Sequence, residues 1–176
     1  MGHRIEDEKL KSHLDKSQRS LITAINEVRH ISHQLRPSAL DDIGLEAALS
    51  TLLQDFHSHS GMDIDSHFDT AQLKLKSEVA TTLYRVAQES LNNIEKHAKA
   101  KKVTVILQKM GNMLQLIIRD DGIGFMVNQS VHRQGIGLRN MRERVEFIGG
   151  EFELMSEPGL GTEITVLLDL DGLVYG

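Results

Sequence analysis

Four polar residues of one predicted helix are spaced so that their side chains would point the same way. They stand at positions i, i+4, i+7 and i+8, and they are Glu89, Asn93, Lys96 and His97. At roughly 100° per residue, these positions share one face of an α-helix. An amide oxygen can coordinate magnesium, an ammonium can neutralise phosphate, and a carboxylate can accept a proton or orient a nucleophile. The spacing predicts a site for a metal-bound polyphosphate; the alternative is a solvated polar face.

A second motif directly follows a predicted strand and reads Asp120-Asp121-Gly122-Ile123-Gly124. An aspartate at a strand end can accept a hydrogen bond from an exocyclic amine, and the glycines let the backbone approach a flat ring closely. By itself this motif also fits an ordinary turn after a strand.

Two further glycine motifs lie later in the chain. The first, Gly135-Ile136-Gly137-Leu138, stands where a loop becomes a helix, and free backbone N–H groups at such a point bind phosphate. The second, Gly159-Leu160-Gly161-Thr162, places a hydroxyl just after a tight turn. Taken separately, they also fit a glycine hinge and a β-turn.

The elements that must position these motifs follow from the hydrophobic spacing. One helix is predicted from about Asp41–Gly44 to Gly61, a second from a Ser77 cap to about residue 98, and a third from Leu138 to Gly149. Alternating apolar residues predict strands near 62–68, 103–107, 114–118, 152–154 and 164–170. The interleaved helices and tight hairpins predict an α/β fold, a two-layer sandwich of a mixed β-sheet with helices on one face.

The first part of the chain, residues 1–36, is predicted to be a separate region before a domain at 37–176. Apolar positions alternate four and three apart over residues 6–36, which is a heptad seam: Leu10, Leu14, Ser17, Leu21, Ala24, Val28, Ile31 and Leu35. Such a seam favours a dimer or bundle helix. A helix folded back on its own domain is the alternative.

Composition narrows the function classes. The chain has 176 residues, a formal charge of -5 and no cysteine. Mild acidity argues against direct nucleic-acid binding, and the lack of cysteine excludes disulfides and thiolate-bound metals. No apolar run approaches the roughly 20 residues of a membrane helix. We therefore expect a soluble, cytoplasmic chain, which is compatible with a membrane anchor further upstream in a parent protein.

The order and spacing of the four motifs resemble those of the GHKL ATPase superfamily, which includes gyrase, Hsp90, histidine kinases and MutL. Residues 89–97 resemble its N box, 120–124 its G1 box, 135–138 its G2 box, and 159–162 its closing G-x-G-T turn. Within it, Leu35-Arg36-Pro37 and the segment 40–49 look like the histidine kinases whose response regulators carry helix-turn-helix output domains. The resemblance implies the GHKL, or Bergerat, fold.

The resemblance also implies roles for individual residues. Asp120 would bind the adenine amine, and Thr162 would support that contact through water. Asn93 would ligate Mg²⁺, Lys96 would touch phosphate, and His97 would flank the nucleotide. Glu89 would be the catalytic residue nearest the chemistry. The remaining nucleotide-binding positions would be Gly122, Gly124, Gly135, Gly137 and Leu138, with a short lid over about residues 125–136. Arg139 and Arg142 are either phosphate contacts or ordinary helix-surface residues.

The implied function is that of a protein histidine kinase, an ATP- and Mg²⁺-dependent transferase of a two-component system. The partners would be ATP, a second copy of the parent through its N-terminal helix, and a response regulator with a helix-turn-helix output domain. Residues 6–36 look like the second dimerisation helix. None of His13, His30 and His33 has the acidic neighbour of a phosphoacceptor. We therefore expect the acceptor histidine on an upstream helix and no autophosphorylation by this chain alone.

Four alternatives stay open at the level of the sequence. The same fold could serve a serine kinase of the anti-sigma type or a nucleotide-sensing module without transfer activity. A dimerisation adaptor would bind no nucleotide. A metal enzyme built on His57, His59 and His67 is weaker, because their spacing matches no metal-binding motif.

Overall fold

A five-stranded mixed sheet forms one layer of the molecule. The computed structural model describes residues 38–70, 73–127 and 136–175. The strands are β1 (Asp63–Asp69), β2 (Lys102–Met110), β3 (Met113–Asp120), β4 (Glu151–Glu157) and β5 (Gly161–Asp169), in the order β1-β2-β3-β5-β4. Only β1 and β2 run parallel; the other neighbours are antiparallel. The predicted α/β class with a mixed sheet is confirmed.

The helices of the second layer are α1 (Ser38–Ser60), α2 (Ser77–Asn93) and α3 (Ile136–Phe147). The α1 helix is interrupted at Gly44, whose φ of 81° is outside the helical region. The sequence placed a helix start at this point, whereas the structure has helical residues on both sides of it. Gly61 follows α1 with a φ of 69°, as expected of a glycine that ends a helix.

The second helix differs from its prediction at both ends. Lys76 occupies the N-cap position without a side-chain hydrogen bond, and Ser77 is the first helical residue. The cap prediction for Ser77 was therefore wrong by one position. At the other end, the α-helix stops at Asn93 and continues as a π-helical turn, Ile94–Ala98. Such turns are rare in proteins as a whole, but those that occur are often found at functional sites.

The core lies between the sheet and the helices, because alternate strand residues and one face of each helix are apolar. Val103, Leu107, Leu116 and Leu168 are fully buried on the sheet side, and Leu83 is fully buried on α2. Burying such side chains stabilises the fold by about 1.5–3 kcal/mol each. Within the described ranges, no helix is both long and apolar enough to cross a membrane.

The helix predicted over residues 6–36 lies outside the described residues, as do Gly135 and most of the lid predicted over residues 125–136.

Candidate nucleotide site

A cavity of about 390 Å³ lies where α2, its π-helical turn, the sheet and the start of α3 meet. That volume falls in the range of small-molecule sites. Most of its wall is apolar, and the polar groups are few. The residues that line it are Ser90, Asn93, Ile94, His97, Ala98, Ile118, Asp120, Ile123, Gly124, Phe125, Gly137, Leu138, Thr162 and Ile164. Seven predicted site residues are therefore brought together: Asn93, His97, Asp120, Gly124, Gly137, Leu138 and Thr162.

Asp120 supplies the buried charge of this cavity. It is the last residue of β3 and is only 4% exposed. Its carboxylate Oδ1 accepts the N–H of Gly122 at 2.8 Å. Burial raises the pKa of Asp120, while hydrogen bonds from the N–H groups of Gly122 and Thr162 lower it and the neighbouring charge of Asp121 raises it; the net direction is upward. A buried carboxylate with this environment is ready to accept a hydrogen bond from a ligand.

Asp121, by contrast, is exposed and does not line the cavity. Its Oδ1 accepts the backbone N–H groups of Lys101 and Lys102 at 2.7 and 2.9 Å. These hydrogen bonds hold the pKa of Asp121 below its usual value. The pair Asp120-Asp121 therefore divides into one carboxylate for the cavity and one that fixes the start of β2 to the end of β3.

A polar row crosses the sheet beside Asp120. In the strand register, Asp120 of β3 pairs with Thr162 of β5, and Thr162 pairs with Ser156 of β4. The Oγ atoms of Ser156 and Thr162 are 2.9 Å apart. Ser156 also contacts the backbone of Phe125 and Gly161. Directly paired residues share a face of the sheet, so these three side chains form one continuous polar edge.

Two glycines are required where the loops approach this row. Gly124 and Gly161 have φ values of 56° and 80°. A Cβ on Gly161 would collide with the carbonyl oxygen of Asp120, and a Cβ on Gly124 would collide with the carbonyl oxygen of Glu157. Only glycine fits such positions, because any side chain would meet backbone atoms. Gly122 is not among the lining residues, but its N–H donates to the carboxylate of Asp120.

Of the four polar residues predicted to share one helix face, two line the cavity and two do not. Asn93 and His97 line it, whereas Lys96 is exposed and is not part of its wall. A π-helical turn holds more residues than an α-helical turn, so the spacing of about 100° per residue no longer applies after Asn93. Glu89 does not line the cavity, but its Oε1 would collide with a Cβ on Gly137 at the start of α3.

Several lining residues were not singled out from the sequence. Ser90 and Ile94 precede Asn93 and His97 by three residues, so the helical period was a signal that could have found them. Ser156 had no such signal, because its place beside Thr162 depends on strand pairing.

Other sequence candidates have partners away from the cavity. The guanidinium of Arg142 donates to the carbonyl of Phe152 at 3.0 Å and lies 5.0 Å from its ring centroid. Arg139 lies 3.7 Å from Glu143. Nδ1 of His57 and of His59 each lie 2.7 Å from a backbone carbonyl. Among the described residues, no three His, Cys, Asp or Glu side chains come together as a metal site.

Comparisons with known proteins show which families and proteins this chain is similar to. The family model described as "Histidine kinase-, DNA gyrase B-, and HSP90-like ATPase" matches residues 78–172. The sensor histidine kinase MctS of Rhizobium johnstonii is 38% identical over 157 residues, covering 88% of this chain and 34% of MctS. The oxygen sensor histidine kinase NreB of Staphylococcus carnosus is 35% identical over 142 residues, covering 81% of this chain and 41% of NreB.

A solved structure is similar in fold. The histidine kinase domain of a blue-light activated kinase from Erythrobacter litoralis superposes with a TM-score of 0.62 at 21% identity, covering 73% of this chain and 66% of that one. The chain spans 34% and 41% of the length of the two curated relatives above.

Proposed function

The chain belongs to the family of histidine kinase-, DNA gyrase B- and HSP90-like ATPases, and from that premise we propose that it is the ATP-binding catalytic part of a two-component sensor histidine kinase. The observation that carries the proposal is the buried carboxylate of Asp120, which lines one cavity with Asn93 and His97. The carboxylate of Asp120 is an acceptor that suits a purine amine, and the polar side chains of Asn93 and His97 suit a phosphate chain.

Each part of the cavity would act on one part of ATP. Asp120 would accept the exocyclic amine, with Thr162 supporting that contact. Gly124 and Gly122 would shape the base pocket by keeping the backbone close. Gly137 and Leu138 lie in the first turn of α3, whose free N–H groups and positive dipole end favour phosphate. His97 would flank the nucleotide, and Lys96 would reach phosphate from the rim.

The side-chain amide oxygen of Asn93 is a suitable ligand for a magnesium ion. Its amide faces the cavity on the last turn of α2, and oxygen ligands are those that Mg²⁺ prefers. Bound Mg²⁺ would neutralise phosphate charge during transfer. Glu89, one turn before Asn93 and against Gly137, would orient the incoming imidazole or hold its proton. The γ-phosphoryl group would move from ATP to a histidine nitrogen on another helix of the parent protein, releasing ADP.

The partners of this reaction follow from the same proposal. The parent would dimerise through the helix at residues 6–36, and the phosphoryl group would pass to a response regulator with a helix-turn-helix output domain. The names of the relatives MctS and NreB, both sensor histidine kinases, support a response regulator as the partner.

Nucleotide binding gives the first test. A ligand that binds only the native state raises its stability, by about 2.7 kcal/mol at a hundredfold excess over Kd. Mg-ADP should therefore raise the melting temperature of the chain. Asp120→Asn should weaken binding by about tenfold or more in calorimetry, because the base loses an ionised acceptor. Asp55→Asn, on the exposed face of α1, removes the same charge and should bind as the parent does.

Transfer gives the second part of the test. A helical peptide with a histidine followed by an acidic residue should gain acid-labile phosphate from ATP in the presence of this chain and Mg²⁺. Label on serine would support the serine kinase, and binding without transfer would support the nucleotide-sensing module. No stabilisation by Mg-ADP would end the nucleotide assignment altogether.

A further inference from the structure

The hydroxyl of Ser156 has a complete set of hydrogen-bonding partners. Its Oγ accepts the backbone N–H of Phe125 at 2.9 Å. It lies 3.0 Å from the carbonyl oxygen of Gly161 and 2.9 Å from Oγ1 of Thr162. A serine hydroxyl can donate one proton and accept two. These three partners use its full hydrogen-bonding capacity. The direction of each bond therefore follows from the number of protons and lone pairs available.

The count leaves one arrangement in which every contact is a hydrogen bond. The carbonyl of Gly161 has no proton to give, so Ser156 must donate its only proton there. The amide of Phe125 uses one lone pair of Ser156. The contact with Thr162 is then a hydrogen bond only if Thr162 is the donor.

This direction decides what Thr162 offers to the cavity. Once its proton is given to Ser156, Thr162 presents only lone pairs to the cavity that it lines. The neighbouring Asp120, paired with Thr162 across β3 and β5, is also an acceptor. The polar edge of the base pocket is then made of acceptors only, and a ring that binds there must bring protons.

We propose that Ser156 is a positioning residue that makes this site selective for a 6-amino purine over a 6-oxo purine, by holding Thr162 as a hydrogen-bond acceptor. The inference rests on the proposed nucleotide function. Adenine brings an amino group to the acceptor edge, whereas the 6-oxo group of guanine would meet two acceptors, and unpaired buried polar groups reduce affinity.

Substitution of Ser156 is the central experiment. In Ser156→Ala, Thr162 loses its proton acceptor and is free to donate into the cavity. The ratio of Mg-GDP to Mg-ADP dissociation constants, measured by calorimetry, should then fall by about fivefold to tenfold. Ser156→Thr retains a hydroxyl and should keep the parent ratio. Ser58→Ala removes a serine hydroxyl from α1 instead and should also keep it.

A double-mutant cycle separates this role from a merely structural one. Thr162→Val removes the hydroxyl through which Ser156 acts, so adding Ser156→Ala to Thr162→Val should leave the ratio unchanged. Full additivity of the two effects would overturn the proposal. If Ser156→Ala does not fold, Ser156→Cys, with a weakly hydrogen-bonding thiol, is measured in the same cycle.

The outcomes distinguish the two proposals. If the parent and Ser156→Ala bind Mg-ADP and show the same nucleotide ratio, the role of Ser156 is wrong while the ATP site stands. If the parent binds neither nucleotide, the proposed function fails first.

Discussion

Two adjacent aspartates show how local hydrogen bonding separates residues of one type. Asp120 is buried and its pKa is raised chiefly by desolvation, whereas Asp121 is exposed and its pKa is lowered by two backbone N–H groups. The protonation states of the two carboxylates therefore respond to pH in different ranges. Only the first of them lines the cavity.

The raised pKa of Asp120 predicts a pH dependence of nucleotide binding. Protonation removes the acceptor, so affinity for Mg-ADP should fall as pH decreases, with a midpoint above the usual aspartate value. Calorimetry between neutral and mildly acidic pH measures this midpoint. In Asp121→Asn the midpoint should fall only slightly and stay above the usual aspartate value, because the charge of Asp121 is the smallest cause of the raised pKa of Asp120. An affinity that stays constant down to the ordinary aspartate range would contradict the role of Asp120.

The same shifts predict opposite effects on stability. A pKa raised in the folded state means that Asp120 contributes stability at low pH, which is lost as pH rises through its folded pKa. For Asp121, with a lowered pKa, the contribution is present at higher pH and is lost as pH falls through its folded pKa.

At the scale of elements, local patterns were sufficient where one strand or one turn decides the structure. The alternation in β2 and β3 was predicted, because side chains alternate across a sheet with a period of two. The strand order, with β5 between β3 and β4, had no local signal. The position of Ser156 in the polar row depends on that order.

The π-helical turn also could not be predicted from the sequence pattern. Its residues continue the apolar spacing of α2, with Ile94 and Ala98 buried, so the pattern alone reads as one α-helix. The predicted stripe of Glu89, Asn93, Lys96 and His97 was therefore brought to the cavity only in part. Tertiary hydrogen bonds, such as Ile123 N–H to the carbonyl of Ala98 at 2.8 Å, are absent from any such pattern.

The turn between β4 and β5 gives a prediction at this scale. Gly161→Ala should destabilise the fold by about 2–4 kcal/mol, because the new methyl group meets the backbone of Asp120 at a positive φ. Gly159→Ala is the matched control. It has the same sign of φ but open space around it, so it should cost only about 1 kcal/mol. Urea unfolding measures both, and equal losses would contradict the close approach.

At the scale of the whole molecule, two regions were predicted and one of them is described. The second region was predicted from four motifs, each of which occupies a short segment of the sequence. The region at residues 1–36 stays a prediction from its heptad seam, and so does its role in a dimer.

Self-association is the prediction for this scale. The chain should form dimers in sedimentation experiments as concentration increases, because an apolar seam needs a partner helix. Leu21→Asp, in the seam, should weaken association by about tenfold or more. Gln18→Asp adds the same charge outside the seam and should have little effect. A chain that remains monomeric at high concentration would contradict a seam strong enough to act alone.

The contact between Phe125 and Ser156 joins the backbone at Phe125 to the polar row of the proposed base pocket. One oxygen atom accepts the amide of Phe125 and also the proton of Thr162. Replacement of this one hydroxyl therefore has two effects in the same pocket, because it leaves a backbone N–H without its acceptor and a side-chain hydroxyl without its proton acceptor.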